Sequence, residues 1–236
     1  MDELTVDELT VLQAGEIDLV GRVVDSSNAT YVVQVTLEGE ELPAVYKPQA
    51  GERPLWDFDP GLYKRERAAY LLSDHLGWDL VPPTVVREDG PAGVGSLQRF
   101  VEADQREHYF SLYDARPELH DAFRRLALFD CVANNTDRKS GHVLLGDDGH
   151  VYGIDHGLCF AADFKLRTVI WDFAGEPIPD EDLAAIEPLA TSVPRMLAAL
   201  LTRVEVEALQ LRVRRLLTTR ILPVDTTGRR VPWPLI

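Results

Sequence analysis

The chain has 236 residues, enough for one large domain or two small lobes with buried cores, and 45% of its residues are hydrophobic. Its net charge of −15 argues against non-specific binding to nucleic acid or to an anionic membrane, because the long-range field repels both. The acidic N-terminus does not resemble a secretory signal, and no apolar run is long enough for a membrane span. We therefore expect a cytoplasmic protein with no nucleic-acid partner and no stable membrane association.

The first hundred residues have the hydrophobic pattern of a β-sheet with few helices. A short helix over 7–15 precedes two alternating β-branched runs, and a third strand ends at Pro48. Apolar positions at helical spacing, closed by Gly77, predict a helix over 62–77. Two further strands flank a Glu-Asp-Gly turn at 88–90. The predicted order is therefore three strands, a helix and two more strands.

The second part of the sequence is mainly helical. One helix is predicted over 119–135, and two or three more lie between about residues 179 and 217. The C-terminal stretch 224–236 is predicted to be an extended tail held by Trp233, without a chemical role. The expected fold class is α+β, with a β-rich N-lobe over 1–101 and a helical C-lobe over 102–236. A cleft between lobes is a common place for a ligand.

Two aspartates flank one predicted hairpin in the C-lobe. Asp137 precedes its first strand and Asp155 follows its second, so folding the hairpin brings the two carboxylates together. Asp155 is placed to hold Mg²⁺, which takes one or two carboxylates together with substrate phosphates and water. In the transfer of a phosphoryl group from ATP, Asp137 would orient the hydroxyl group that accepts the phosphoryl group. Arg138 and Lys139 would steady the transferred phosphate. The simpler alternative is a pair of ordinary turn aspartates.

The N-lobe offers candidates for contacts to the nucleotide phosphates. Lys47 lies in an apolar strand and Glu66 on the following helix, so an ion pair between them would hold the ammonium group ready for phosphate. The alternative is a solvated lysine on an edge strand. Ser26, Ser27 and Asn28 lie in the turn between the first two strands, where backbone N–H groups can surround an anion. These residue types are also common in any hairpin turn.

Four segments in order resemble the phosphatidylinositol 3-/4-kinase-like branch of the protein-kinase-like superfamily, most closely the type II phosphatidylinositol 4-kinases. Asn-Thr-Asp-Arg at 135–138 matches the core of the catalytic loop, and Ile-Asp-His-Gly at 154–157 matches the metal motif. Tyr-Lys-Pro at 46–48 fits the strand lysine, and Gly-Ser-Leu-Gln-Arg-Phe-Val-Glu at 95–102 resembles the hinge. The chain is therefore identified as a small bacterial member of this family.

This resemblance implies a bilobal kinase fold with ATP bound between the lobes, and Mg²⁺, or Mn²⁺ as an alternative ion, as the metal. Adenine would bind the hinge near Gln98, Phe100 and Val101. Asp137 would be the catalytic acid of the loop, and Asp155 would be the metal ligand. The acceptor, an unknown protein or small molecule with a hydroxyl group, does not follow from the fold.

Two positions depart from the family pattern. His142 stands where the family has an asparagine that binds a second metal ion, and imidazole is a softer ligand than an amide oxygen. The phosphate loop between Asp25 and Thr30 has no glycine, so the backbone is less free to approach a phosphate closely. Two alternatives to a kinase therefore stay open, a nucleotide-binding pseudokinase with weak or no transfer and an adenylyl transferase.

Overall fold

The computed structural model describes residues 6–23 and 28–236. The first part is a five-stranded antiparallel sheet with the strand order β1-β2-β3-β5-β4. Its strands are β1 (Glu16–Arg22), β2 (Tyr31–Leu37), β3 (Glu40–Pro48), β4 (Thr84–Arg87) and β5 (Gly95–Arg99). The strands predicted from alternating hydrophobicity are therefore present, although β4 and β5 are shorter than the apolar runs from which they were predicted.

One face of the sheet is covered by helix α1 (Glu8–Ala14), whose first turn is capped by the side chain of Asp7. Val33 and Val35 alternate onto this face of β2 and are completely buried, as a strand with one covered face requires. The guanidinium of Arg87 donates to the carbonyls of Leu12 and Gly15, each at 2.9 Å. These bonds fix the end of α1 against the sheet and leave the opposite face for the cleft.

Helix α2 (Leu62–Leu76) packs beside β4 and β5 and ends at Gly77. Gly77 has the left-handed φ of 65°, which glycine adopts without steric cost, and its N–H donates to Asp74. This is the helix end that the sequence predicted. The buried side of α2 includes Glu66, whose side chain is only 4% exposed.

The second part of the chain is helical around a large apolar core. Phe123, Leu126 and Phe129 lie on helix α4 (His120–Ala133) and are fully buried in this core. A short hairpin, β6 (Val143–Leu145) with β7 (Val151–Gly153), follows α4. The helices are α3 (Tyr109–Ala115), α4 (His120–Ala133), α5 (Asp180–Ile186), α6 (Arg195–Ala198) and α7 (Arg203–Thr219), with 3-10 turns at Gln49–Gly51, Pro117–Leu119, Ser140–His142 and Glu187–Ala190.

The C-terminal tail is held by its backbone rather than by Trp233. The indole of Trp233 is 87% exposed, so the prediction that this side chain pins the tail is wrong. The carbonyl of Leu235 instead accepts a hydrogen bond from the N–H of Ser140 at 2.8 Å. In the ranges 6–23 and 28–236, no helix is both long enough and apolar enough to cross a membrane.

Candidate active site

Lys47 lies near the C-terminal end of β3, between two carboxylates from different parts of the chain. Its Nζ is 2.6 Å from Oε1 of Glu66 and 2.8 Å from Oδ1 of Asp155. Burial alone would lower the pKa of Lys47, but the two carboxylates outweigh it and raise the pKa above its ordinary value. The ammonium group is therefore charged and held in place by both carboxylates. The predicted pairing of Lys47 with Glu66 is present, with Asp155 as an additional partner.

The metal-motif acid Asp155 follows β7 in an uncommon backbone conformation. Its φ is 59°, in the left-handed region, and its side chain turns toward Lys47. The positive charge of Lys47 lowers the pKa of Asp155, against the opposing effect of burial. The N–H of the next residue, His156, donates to Oε2 of Glu66 at 2.9 Å. One glutamate therefore holds both the strand lysine and the backbone of the metal motif.

Asp137 is positioned by the two asparagines that end helix α4. Asn134 takes the left-handed φ of 52° that ends the helix, and Oδ1 of Asn135 accepts from the N–H of Asp137 at 3.0 Å. Burial raises the pKa of the Asp137 carboxyl, although Lys139, whose Nζ lies 3.4 Å from Oδ2, opposes this effect. A carboxylate with a raised pKa that remains 27% exposed is suited to accept a proton.

Arg138 does not reach the site, and its predicted contact with a transferred phosphate is wrong. Its side chain is completely buried and forms an ion pair with Asp130, Nη2 to Oδ1 at 2.9 Å. It also donates to the carbonyls of His142 and Ile154 at 3.1 and 2.8 Å. With its donors used in this way, the guanidinium ties the catalytic loop to both ends of the hairpin β6–β7. Its role is structural.

His142 lies between the two candidate acids. Its Nε2 is 3.3 Å from Oδ2 of Asp155, and its Nδ1 is 3.1 Å from the backbone oxygen of Asp137. Burial lowers the pKa of His142 to about 4, against the attraction of Asp155, so the imidazole is neutral at pH 7. A neutral ring carries one proton and has one nitrogen lone pair available. Asp137 and Asp155 line one cavity, and His142 contacts the carboxylate of Asp155 and the backbone of Asp137.

Lys47, Glu66, Asp137 and Asp155 line a cavity of about 290 Å³, whereas His142 lies outside the residues that form its wall. The loop that follows β3 contributes Glu52, Arg53 and Leu55 to the wall of the cavity. This contribution was not predicted from the sequence. Glu52 also accepts from the N–H groups of Gly61 and Tyr63, at 2.8 and 3.3 Å, and so orients the start of α2. No motif marked this loop, because its place beside the site follows only from the docking of α2.

The remaining predicted nucleotide residues are placed differently. Asn28 lines the cavity, and its Oδ1 accepts from the N–H of Arg53 at 2.9 Å, whereas Ser26 and Ser27 lie outside the described residues. Gln98 is turned away, because its buried amide donates to Thr84 Oγ1 at 2.7 Å.

The hinge segment lies outside this cavity. The N–H of Phe100 donates to Pro43 O at 2.9 Å, so this donor of the predicted hinge is already used. Within the described ranges, the N–H of the next residue, Val101, has no hydrogen bond.

The donor set at the site consists of carboxylate oxygens with one imidazole nitrogen. Within the described part of the chain, no group of three or more His, Cys, Asp or Glu side chains is assembled to hold a metal ion. Asp155 is 49% exposed and Asp137 faces the same cavity. This arrangement fits a hard cation that completes its coordination with phosphate oxygens and water, as Mg²⁺ does.

Comparison with known proteins identifies the family and the fold of the chain. The family model for phosphatidylinositol 3- and 4-kinase matches residues 63–202, more than half of the chain. Protein Rv2133c of Mycobacterium tuberculosis is 41% identical over 265 residues, covering 97% of this chain and 95% of that protein. Phosphatidylinositol 4-kinase gamma 4 of Oryza sativa subsp. japonica is 32% identical over 148 residues, covering 53% of this chain but 25% of the plant protein. The structure of hydra Fam20 with sugar has a TM-score of 0.56 at 14% identity, covering 89% and 86% of the two chains. The kinase-like α+β fold expected from the sequence is confirmed.

Proposed function

The chain belongs to the phosphatidylinositol 3- and 4-kinase family, and we propose that it transfers the γ-phosphoryl group of ATP to a hydroxyl group of an acceptor, with Mg²⁺ as the metal ion. One observation carries this proposal. Lys47 joins Glu66 to Asp155 at 2.6 and 2.8 Å, and Asp137 faces the same cavity. A lysine for phosphate oxygens, a carboxylate for metal and a carboxylate for the acceptor are what phosphoryl transfer requires.

Each of these side chains has a distinct task in the proposed reaction. Lys47 binds the nucleotide phosphate oxygens and exchanges the Asp155 carboxylate for them as the site fills. Asp155 holds the metal ion, which neutralises charge on the phosphates when bound. Asp137 orients the acceptor hydroxyl and accepts its proton, and its raised pKa favours that transfer. Lys139, 3.4 Å from Asp137, steadies the transferred group by charge.

His142 is the proposed second protein ligand of the metal ions. Its Nδ1 faces the Asp137 backbone oxygen at 3.1 Å, and its Nε2 faces Asp155 at 3.3 Å. With Nε2–H donating to Asp155, Nδ1 accepts from the N–H of Lys139 at 3.4 Å. Metal binding through Nε2 requires the other tautomer, in which Nδ1–H donates to the Asp137 carbonyl and the Nε2 lone pair is available to the cation. A ring N–H bonded to a carbonyl is the usual support of a metal-binding histidine. Mn²⁺ is the alternative ion, since it accepts nitrogen more readily than Mg²⁺.

The proposed nucleotide site lies between an N-lobe over 1–101 and a C-lobe over 102–236. Its adenine end contacts the hinge at the N–H of Val101, which has no hydrogen-bond partner among residues 6–23 and 28–236. Its phosphate end lies near Asn28, and Ser26 and Ser27, which precede Asn28 in the sequence and lie outside the described residues, remain proposed phosphate contacts. Of these two ends, the phosphate end is supported by the cavity, which Asn28 and Lys47 line together.

A nucleotide-binding protein without transfer activity is the second candidate. The observation that favours it is that both oxygens of the Asp155 carboxylate already have protein partners, Lys47 and His142. A metal ion must displace these contacts in order to bind Asp155. If the contacts are more stable than the metal complex, the site would bind ATP without transferring a phosphoryl group.

Labelled ATP distinguishes the candidates. The protein is incubated with a cell extract and either γ-labelled or α-labelled ATP, and ATP binding is measured in parallel by calorimetry. We expect transfer of the γ-label, lost in Asp137→Asn and retained in Asp147→Asn, a matched control at an exposed aspartate on the same hairpin. Transfer of the α-label would establish adenylyl transfer instead, and binding without any transfer would establish the second candidate.

A further inference from the structure

The guanidinium of Arg138 contacts both residues that flank the proposed metal ligand, Asp155. Its Nη1 donates to the carbonyl of Ile154 at 2.8 Å, and its Nη2 lies 2.7 Å from Nε2 of His156. Arg138 and His156 are both fully buried. The guanidinium is itself held by Asp130, with Nη2 at 2.9 Å from Oδ1. A buried ion pair in the helical part of the chain therefore reaches the residue before Asp155 and the residue after it.

The contact with Arg138 fixes which nitrogen of His156 carries the proton. A guanidinium group stays protonated and only donates hydrogen bonds, so Nε2 must be the acceptor in this 2.7 Å contact. Burial, together with the charge of Arg138, lowers the pKa of His156, so the ring is neutral and its one proton lies on Nδ1. A proton on Nε2 would instead face a proton on Nη2, and the two groups would repel each other.

The Nδ1–H group of His156 is a buried donor without an acceptor. Nδ1 has no hydrogen-bond partner among residues 6–23 and 28–236. The ring of Phe129 packs beside the imidazole, with 5.6 Å between the ring centroids and 79° between the ring planes. A buried donor without a partner is uncommon and costs free energy. The other tautomer would lose the contact with Arg138 and would still leave Nδ1 unpaired. The contact with Arg138 is therefore the interaction that selects this form of the ring.

The end of β7 leaves room for the guanidinium. A Cβ added at Gly153, the last residue of the strand, would lie 3.2 Å from Nη2 of Arg138 and 3.0 Å from Leu126, closer than ordinary van der Waals contact. A side chain at this position would therefore press on the nitrogen that donates to His156. The same nitrogen approaches the backbone two residues before Asp155 and the ring of the residue that follows it.

Asp155 requires such support because its backbone conformation is costly. Its φ of 59° lies in the left-handed region, which a residue with a side chain keeps only where neighbouring contacts impose it. On one side, the N–H of Ile154 donates to the carbonyl of His142 at 3.0 Å. On the other side, the N–H of His156 donates to Oε2 of Glu66 at 2.9 Å. His156 is therefore held by its backbone and by its ring, and these contacts fix the direction of the Asp155 carboxylate.

We propose that His156 is a positioning residue for the proposed metal ligand Asp155. Its ring, protonated on Nδ1, accepts a hydrogen bond from Arg138. This bond and the bond from Arg138 to the Ile154 carbonyl hold Asp155 in the left-handed conformation. That conformation turns the carboxylate toward Lys47, where it is available to a metal ion. In this role His156 touches neither phosphate nor metal and acts only through the backbone of Asp155. This inference rests on the proposed kinase function, in which Asp155 binds Mg²⁺.

Nuclear magnetic resonance of the metal-free wild-type protein tests the tautomer. Long-range ¹H–¹⁵N correlation spectra of the ¹⁵N-labelled protein distinguish the two neutral forms of an imidazole, because protonated and unprotonated ring nitrogens differ widely in chemical shift. The signals that disappear in His156→Gln are those of His156. We expect its proton on Nδ1, and a proton on Nε2 overturns the proposal. This measurement on the wild type does not depend on whether any other variant folds.

Mg²⁺ binding tests the positioning role. Isothermal titration with Mg²⁺ and a non-hydrolysable ATP analogue compares the wild type with two variants of His156. His156→Leu removes the acceptor and should weaken Mg²⁺ binding by about tenfold. His156→Gln, whose amide oxygen can accept from Arg138, should restore the affinity to within about twofold of the wild type. Leu209→Ala, at a fully buried position on α7, is the matched control for a loss of stability away from the site.

The outcomes separate this proposal from the kinase proposal. Equal Mg²⁺ affinity in His156→Leu and the wild type overturns the positioning role, and so does an equal loss of affinity in His156→Leu and His156→Gln. A similar loss in Leu209→Ala would assign the effect to stability and would overturn it as well. If only the kinase proposal fails, the wild type keeps its proton on Nδ1 and binds Mg²⁺ more tightly than His156→Leu does, but it transfers no phosphoryl group from labelled ATP.

Discussion

His142 contacts the candidate metal carboxylate directly, with Nε2 at 3.3 Å from Oδ2 of Asp155. Through Nδ1 the same ring contacts the backbone of Asp137 at 3.1 Å. A single imidazole therefore connects the loop of the proposed acceptor-orienting acid to the proposed metal ligand. An asparagine at position 142 would have a shorter side chain, which would not reach both Asp155 and the backbone of Asp137. We therefore expect metal binding at the proposed site to depend on the tautomer and the position of the His142 ring.

Replacing His142 by asparagine is expected to strengthen Mg²⁺ binding to the nucleotide-loaded protein by up to about tenfold, about 1.4 kcal/mol. An amide oxygen is a harder ligand than imidazole nitrogen and suits Mg²⁺ better. Isothermal titration with Mg²⁺ and a non-hydrolysable ATP analogue measures the change, with His150→Asn as the control on the same hairpin. A tenfold loss of Mg²⁺ affinity would instead show that the imidazole has a role of its own.

Lys47→Met is expected to abolish transfer and to lower the free energy of unfolding by about 1 to 3 kcal/mol. The substitution removes the phosphate-binding charge and leaves the buried carboxylate of Glu66 without its ammonium partner. Urea unfolding and the labelled-ATP assay measure the two effects separately. The double variant Lys47→Met with Glu66→Gln should recover part of the stability but none of the activity. Equal stability of the single and double variants would disprove the coupling.

Arg138→Met is expected to destabilise the protein by about 3 to 5 kcal/mol, because it leaves the buried Asp130 without its cationic partner. Urea unfolding measures this loss. The companion variant Asp130→Asn should be destabilised as well, and the pair changed together should lose less than the sum. If Arg138→Met instead kept full stability and lost only transfer, Arg138 would have to act on the phosphate directly.

The free energy of unfolding should fall as pH falls from 6.5 to about 5. Burial lowers the pKa of His142 to about 4 and that of His156 well below 6.5. In this window the unfolded chain binds protons that the folded chain does not, and stability therefore rises with pH, by up to about 1.4 kcal/mol per pH unit for each histidine. Urea unfolding in EDTA at pH 7, 6 and 5 measures the slope.

Comparison of variants assigns this slope to its source. His142→Asn should reduce it, because one of the two buried imidazoles is gone, whereas His75→Asn, at an exposed position near the end of α2, should not. An unchanged slope in His142→Asn would mean that this ring takes up a proton as readily in the folded protein as in the unfolded chain.

Local patterns in the sequence predicted most of the fold. Alternating β-branched residues located β2, and the glycine at position 77 located the end of α2, since both signals depend on neighbours along the chain. The placement of Asp137 and Asp155 on either side of one hairpin also predicted their convergence, because a hairpin returns the chain to its starting point. The pairing of Lys47 with Glu66 was also predicted from local signals, a lysine in an apolar strand and an acid on the helix that follows.

Contacts between distant segments were decided by the tertiary structure alone. The sequence could not show that Arg138 turns inward to Asp130. Neighbours along the chain do not determine whether an arginine side chain is buried or exposed. Nor could the sequence show that Arg230 lies beside Thr168, 62 positions earlier in the chain, since this depends on how the tail crosses the packed C-lobe. Spacing along the chain determines which residues a turn or a hairpin brings together, whereas burial and long-range docking determine which of their polar groups stay free to act.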